Sequence, residues 1–171
     1  MGWVSGIKTA THIVGSLFVI FRMKLTNAQI GKSGELLVQY KLLKYGIESS
    51  QLTTDTGIDL VAFSSKKEKA FTIQVKTNLN PKPGGGSGKL ALDWWLRDNS
   101  PADIVALVDL STDRIWMFLD KEFSKNAQQH SKNKYHLYMY VDQSAKSIKH
   151  KKYLDAHFVN YLIENKLGKI F

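Results

Sequence analysis

Apolar and polar positions change their spacing several times along this chain, and each change marks the border of a structural element. Thr26 and Gln29 stand at the spacing of a helix-capping box, after which Ile30, Leu37, Val38 and Leu42 recur at helical intervals. This predicts a helix over residues 27–45, stopped by Gly46, the residue type that most readily adopts the left-handed conformation past a last turn. Residues 47–52 and 58–63 read as strands separated by an Asp55-Thr56-Gly57 turn, and residues 70–77, rich in β-formers, as a third strand. Residues 78–88 contain two of the three prolines and four glycines, so they are expected to leave the strand as a mobile loop. Residues 90–97 look helical, and residues 104–110 and 115–119 are apolar strands joined across the polar Ser111-Thr112-Asp113-Arg114 turn. Further on, a strand over 135–141 and an amphipathic helix over 154–165 are expected.

The resulting order α, β, β, β, α, β, β predicts an α/β fold. A chain of 171 residues, 43% hydrophobic, is long enough for one sizeable core and short for two, so residues 23–171 are read as a single domain with its core over 23–120. Residues 1–22 are read as an apolar extension forming an extra helix. Their densest apolar run, 13–21, falls short of the ~20 residues a membrane span needs. With no small-x-small cleavage site and Arg22 and Lys24 close behind, a signal peptide is not expected, and neither is membrane contact through residues 1–21.

Charge changes the picture more than size does. The chain carries 24 Lys+Arg against 15 Asp+Glu, a net +9, which favours a polyanionic partner such as nucleic acid. Residues 121–171 form a basic C-terminal part: between Lys121 and Lys152 there are eight lysines and two acids, Glu122 and Asp142, which suits sequence-blind phosphate binding or a solvated lysine-rich face. The absence of cysteine excludes disulfides, thiolate zinc sites and a cysteine nucleophile, and fits a reducing cytoplasm. The five histidines show no short-range metal-ligand spacing. Gly88-Lys89 hints at a phosphate loop, but Pro83 occupies the position of its first Gly and Leu90 that of its Ser/Thr. Trp94-Trp95 could stack on bases, but in the helix expected at 90–97 they read as core or dimer contacts.

Three elements place a polar group where an apolar one is expected. Alternation along the third strand sets Thr72, Gln74 and Lys76 opposite Phe71, Ile73 and Val75. In the second strand Asp59 is the sole charge, and burying it costs several kcal/mol unless Lys76 or a metal meets it. On the first helix Glu35 shares a stripe with Ala28, Gly31, Val38 and Leu42, and the small Gly31 and Gly34 would let the helix approach the sheet. Each has a plain alternative: Glu35 bridging to Lys32, Asp59 following a turn, Gln74 and Lys76 lying on an exposed strand face.

Gly34-Glu35 on a helix, Gly57-Ile58-Asp59-Leu60 on a strand and Ile73-Gln74-Val75-Lys76 on the next together resemble the PD-(D/E)XK nuclease superfamily, in its restriction-endonuclease-like and Holliday-junction-resolvase-like branches. Gln74 stands where Glu is commoner, a Gln form of the motif. The resemblance runs over residues 23–119 and implies an αβββαβ core with a central mixed sheet flanked by helices. It implies a metal-dependent nuclease acting on nucleic acid, expected to be DNA, in restriction, repair or mobile-element defence. A homodimer fits the cutting of both strands. The implied catalytic set is Glu35, Asp59, Gln74 and Lys76, with Mg²⁺ or Mn²⁺ held by Glu35, Asp59, Gln74 and the Val75 carbonyl. Lys76 would orient or deprotonate the attacking water, or neutralise the phosphate. Lys32, Lys82 and Lys89 are candidate phosphate contacts. The competing expectation is a catalytically silent module of the same fold that binds nucleic acid or protein.

Overall fold

The computed structural model describes residues 24–53, 56–84, 88–146 and 152–171. The expected extension over residues 1–22 lies outside the described residues. The first helix, α1 (Asn27–Lys44), starts as the spacing predicts. Gln29 N–H donates to Thr26 Oγ1 at 3.2 Å and Thr26 N–H donates to Gln29 Oε1 at 2.9 Å, completing the capping box. Gly46, with φ of +76°, takes the chain out of the helix.

Strands β1 (Ser49–Gln51), β2 (Leu60–Ser64) and β3 (Lys69–Asn78) form an antiparallel meander. Strand β6 (Ile104–Asp109) lies parallel to β3, and β7 (Arg114–Leu119) returns antiparallel to β6. The five strands make one mixed sheet in the order β1-β2-β3-β6-β7. Every residue of β6 is buried, the terminal Asp109 included, as its apolar run over 104–108 requires of a strand covered on both faces.

The link between the parallel strands β3 and β6 departs from expectation. In place of a helix over 90–97 the chain forms β5 (Lys89–Arg97), paired on one edge with the short β4 (Lys82–Gly84) and on the other with β9 (Lys134–Tyr140). The reason is a period of two: Leu92, Trp94 and Leu96 are buried while Asp93, Trp95 and Arg97 are exposed. Strand β4 occupies part of the segment expected as a loop, of which residues 85–87 lie outside the described residues. With β8 (Gln129–Ser131) these strands form a second, four-stranded antiparallel sheet in the order β4-β5-β9-β8. The helix expected within an αβββαβ core is thus replaced by two strands of an added sheet.

The lysine-rich segment is woven into this frame. It supplies α2 (Asp120–Asn126), β8 and β9, and the chain closes with a 3₁₀ helix (Asp155–Tyr161) and α3 (Ile163–Ile170). The expected helix over 154–165 is therefore two elements broken at Leu162, which bridges to Trp116 of β7. In α3, Ile163, Lys166, Leu167 and Ile170 are buried, a true helical stripe that begins later than expected.

Two apolar cores result, one on each face of the five-stranded sheet. On one face, Val38 and Leu42 of α1 and Ile163, Leu167 and Ile170 of α3 pack on Leu60, Ile73, Val75 and Ile104. On the other, Leu92, Trp94, Leu96, Leu137 and Met139 of the second sheet meet Val105, Leu107, Trp116 and Phe118. Each of these fully covered side chains contributes about 1.5–3 kcal/mol of burial. The order of layers is helix, mixed sheet, antiparallel sheet. None of the described helices is long and apolar enough to cross a membrane.

Candidate active site

The buried stripe of α1 is Gly34, Val38 and Leu42, and it brings the helix down onto the end of β3. A Cβ at Gly34 would lie 1.9 Å from Thr77 Oγ1, so only glycine permits this approach. Gly31, by contrast, faces open space. Glu35 stands at the margin of the stripe with its side chain 22% exposed, and its Oε2 accepts from Lys32 Nζ at 2.9 Å. Lys32 Nζ also donates to Gln51 Oε1 on β1 at 2.6 Å, which ties the helix to the sheet edge.

Asp59 lies immediately before β2, at the mouth of the strand rather than inside it. Its N–H donates to the Ile73 carbonyl at 2.9 Å and its carbonyl accepts from Leu52 N–H at 3.0 Å. Its carboxylate crosses to the neighbouring strand, where Oδ2 accepts from Val75 N–H at 2.6 Å. A short charge-assisted bond to a strand amide fixes where this carboxylate sits.

On β3 the alternation is as expected: Phe71, Ile73 and Val75 are buried toward α1 and α3, while Gln74 and Lys76 face the other way. Gln74 and Lys76 line a cleft of about 650 Å³ whose wall includes Gly57, Trp95, Arg97, Ser100 and Lys134. Gly57 has φ of +81°, and a Cβ there would lie 3.6 Å from Gln74 Nε2 and 3.4 Å from Pro101 Cδ. Gln74 Oε1 accepts from Ser100 Oγ at 3.0 Å. The amide oxygen keeps a second lone pair for another partner.

The expected residues thus fall into linked groups. Asp59 is bonded to the amide of Val75, whose neighbours Gln74 and Lys76 share one cleft. Glu35 is held by Lys32, the plain alternative foreseen for it, on the helix that Gly34 seats against Thr77. Among the candidate phosphate contacts, Lys89 is paired with Asp142 at 3.1 Å and donates to Ser144 Oγ at 2.7 Å. Lys82 lines a separate cavity of about 280 Å³ with Asp93, His136 and Tyr138.

Trp95, Arg97, Ser100 and Lys134 were not foreseen at the site. The signal for the first two was the alternation along 92–97, which a helical reading conceals. Among the described residues, the charged ones lining the cleft are Lys76, Arg97 and Lys134, all cations. Acids near the cleft are held ionised: the hydrogen bond from His136, aided by the charge of Lys82, keeps the Asp93 carboxyl below its usual range against partial desolvation. The backbone N–H of Thr72 does the same for Asp103.

The donor set expected of a metal centre here is all oxygen: carboxylates from Glu35 and Asp59, the Gln74 amide and the Val75 carbonyl. That chemistry fits a hard divalent cation, and the Val75 N–H that orients Asp59 is the kind of supporting contact such a site needs. Among the described residues no group of three or more His, Cys, Asp or Glu forms a metal cage, so a site here would depend on the amide and the carbonyl.

No protein-family model and no curated protein sequence matches the chain. Among solved structures, its fold is similar to that of a bacterial homing endonuclease, I-Ssp6803I. The two share 13% identity with a TM-score of 0.53, over 85% of this chain and 97% of the other. The likeness is therefore one of architecture, a mixed sheet with flanking helices.

Proposed function

We propose that the chain is a metal-dependent nuclease that hydrolyses phosphodiester bonds in DNA, in a restriction, repair or mobile-element setting. One observation carries the proposal: the Asp59 carboxylate is fastened to the amide between Gln74 and Lys76, and those two side chains face a cleft whose charged lining, among the described residues, is cationic. The likeness in fold to an endonuclease supports the same reading.

Glu35, Asp59, the Gln74 amide oxygen and the Val75 carbonyl would hold the cation. Bound Mg²⁺ or Mn²⁺ would supply Lewis-acid stabilisation of charge on the phosphoryl oxygens. Lys76, projecting into the cleft, would orient or deprotonate the attacking water, or neutralise the phosphate, as the bond to the leaving oxygen breaks. Ser100, by donating to Gln74 Oε1, fixes which end of the amide is presented. Arg97 and Lys134 raise the local potential for a polyanion. Cutting both strands of a duplex calls for two such sites, which a homodimer would provide.

The test is cleavage of plasmid and branched DNA with Mg²⁺ or Mn²⁺, comparing the unaltered chain with Asp59→Ala and Lys76→Ala. Both variants are expected to lose cutting while keeping most binding. If the unaltered chain cuts no substrate and the variants bind as well and melt higher, a binding module of this fold replaces the enzyme.

A further inference from the structure

On the outer face of the second sheet, Asp93, Trp95 and Arg97 of β5 and Lys134 of β9 are exposed, while His136 and Tyr138 of β9 are half-buried. Two features of this face do not serve folding. Arg97 and Lys134 are directly opposed across the two strands. Like charges so placed destabilise an antiparallel pair. Among the described residues neither makes an ion pair, and no acid lines the cleft beside them.

The second feature is Trp95. Its neighbour Trp94 is 3% exposed, while Trp95 is 43% exposed. It stacks on His136, its cross-strand partner, with ring centroids 4.0 Å apart and planes 4° from parallel. His136 is in turn braced by Asp93 Oδ2 at 3.3 Å and Gln129 Oε1 at 3.4 Å. The stack divides two hollows: Trp95 lines the cleft of Gln74 and Lys76, and His136 lines the cavity of Lys82 and Tyr138. One face of the indole is covered by the imidazole, while the residue remains 43% exposed and lines the cleft.

We infer that Trp95, Arg97 and Lys134 form a nucleotide-binding subsite beside the reactive cleft, taking an unpaired nucleotide of the nucleic-acid strand. Arg97 and Lys134 hold its backbone phosphate, which supplies a counter-charge to this opposed pair. The indole, held flat by His136, stacks on its base, a contact that any base can make. A base inside a duplex offers no free face, so the subsite selects strands that are single, frayed or branched at this position. The subsite deepens the nuclease reading and rests on it for its placement next to the cut.

The test is fluorescence anisotropy on the full chain in EDTA, with a labelled short single strand, a forked duplex and a blunt duplex of the same sequence. Trp95→Leu is expected to weaken binding of the single strand and the fork about 5- to 100-fold and to leave the blunt duplex unchanged, with Trp95→Phe keeping most of the affinity. The Arg97→Gln/Lys134→Gln variant should weaken all probes and reduce the slope of log K against log salt by about 1.4 on the single strand and about 1.8 on the duplex. Equal affinities for Trp95→Leu and the unaltered chain on the fork, equal losses on the blunt duplex, or an unchanged salt slope would each overturn the subsite. Melting curves show whether each variant is folded. If these dependences hold but nothing is cut with Mg²⁺, the subsite stands and the nuclease falls; if cutting needs Asp59 and Lys76 while these variants behave as the unaltered chain, the reverse is true.

Discussion

The N–H of Val75 points at Oδ2 of Asp59 across 2.6 Å, so the acid that precedes one strand is locked to the middle of the next. Asn at position 59 can still accept this bond, whereas Ala leaves the strand amide without its partner. Asp59→Asn is therefore expected to melt near the unaltered chain, and Asp59→Ala to lose about 1–3 kcal/mol in denaturant titration. Both should lose cutting by more than the 10–100-fold that a merely supporting group costs.

A Cβ built at Gly34 would lie 1.9 Å from Oγ1, 2.9 Å from Cγ2 and 3.0 Å from Cβ of Thr77, and the last of these does not move when that side chain rotates. Gly34→Ala gains up to about 1 kcal/mol of helix propensity and loses roughly 1–3 kcal/mol to overpacking. Net destabilisation is expected, with part of it recovered by Thr77→Ala in the same chain. Equal stability of Gly34→Ala and the unaltered protein in urea titration would show that α1 does not rest on β3 in this way.

Gln74 presents an amide oxygen where a carboxylate would bind a divalent cation more tightly. Gln74→Glu keeps the acceptor that Ser100 Oγ uses, so the cleft wall should survive the change. Metal-dependent cutting is expected to persist or rise, at a lower half-saturating Mg²⁺ concentration. A fall in activity with an unchanged melting temperature would show that the amide itself is required.

Asp103 accepts from Thr72 N–H and from Thr72 Oγ1, both at 2.9 Å, and the first of these chiefly holds its carboxyl below the usual 3.8. Since the folded value is the lower one, the unfolded chain takes up the proton first. The stabilisation is present above the unfolded value and is lost as pH falls through the folded one. Asp103→Ala should cost roughly 1 kcal/mol near neutrality after allowance for solvent screening. The gap between the two melting curves should close below about pH 4, the region where an unfolded Asp titrates.

Trp94 and Trp95 are adjacent in sequence and opposite in role, which a stability measurement can read. Trp94 packs edge-on against Trp116 with centroids 5.9 Å apart, in the core between the sheets. Trp94→Ala is expected to cost about 3–5 kcal/mol, and Trp95→Ala about 1 kcal/mol. Similar losses from both would contradict the strand alternation.

Local signals and interior signals were unequally legible before the structure. The Thr26–Gln29 box, Gly46 and the apolar run of β6 each act through near neighbours or a single dominant force, and each is found as read. The stretch 90–97 was misread because Leu92, Trp94 and Leu96 satisfy a helical count loosely, and the strand is selected by partners far away in β9. The candidate set was legible through polar residues on otherwise apolar elements, yet register alone moves Asp59 to the strand's mouth and Glu35 to the helix margin. The wall of Trp95, Arg97 and Lys134 depends on pairing between residues about forty positions apart, as Trp95 with His136, which no local pattern announces.

The excursion between the parallel strands β3 and β6 has an evolutionary corollary. Inward side chains of β5 and β9 pack in the core that keeps this detour folded, and outward ones meet one another, the cleft walls and what arrives from solvent. On the proposed reading, drift at the outward positions can therefore retarget the protein to new nucleic-acid shapes without disturbing how the bond is broken.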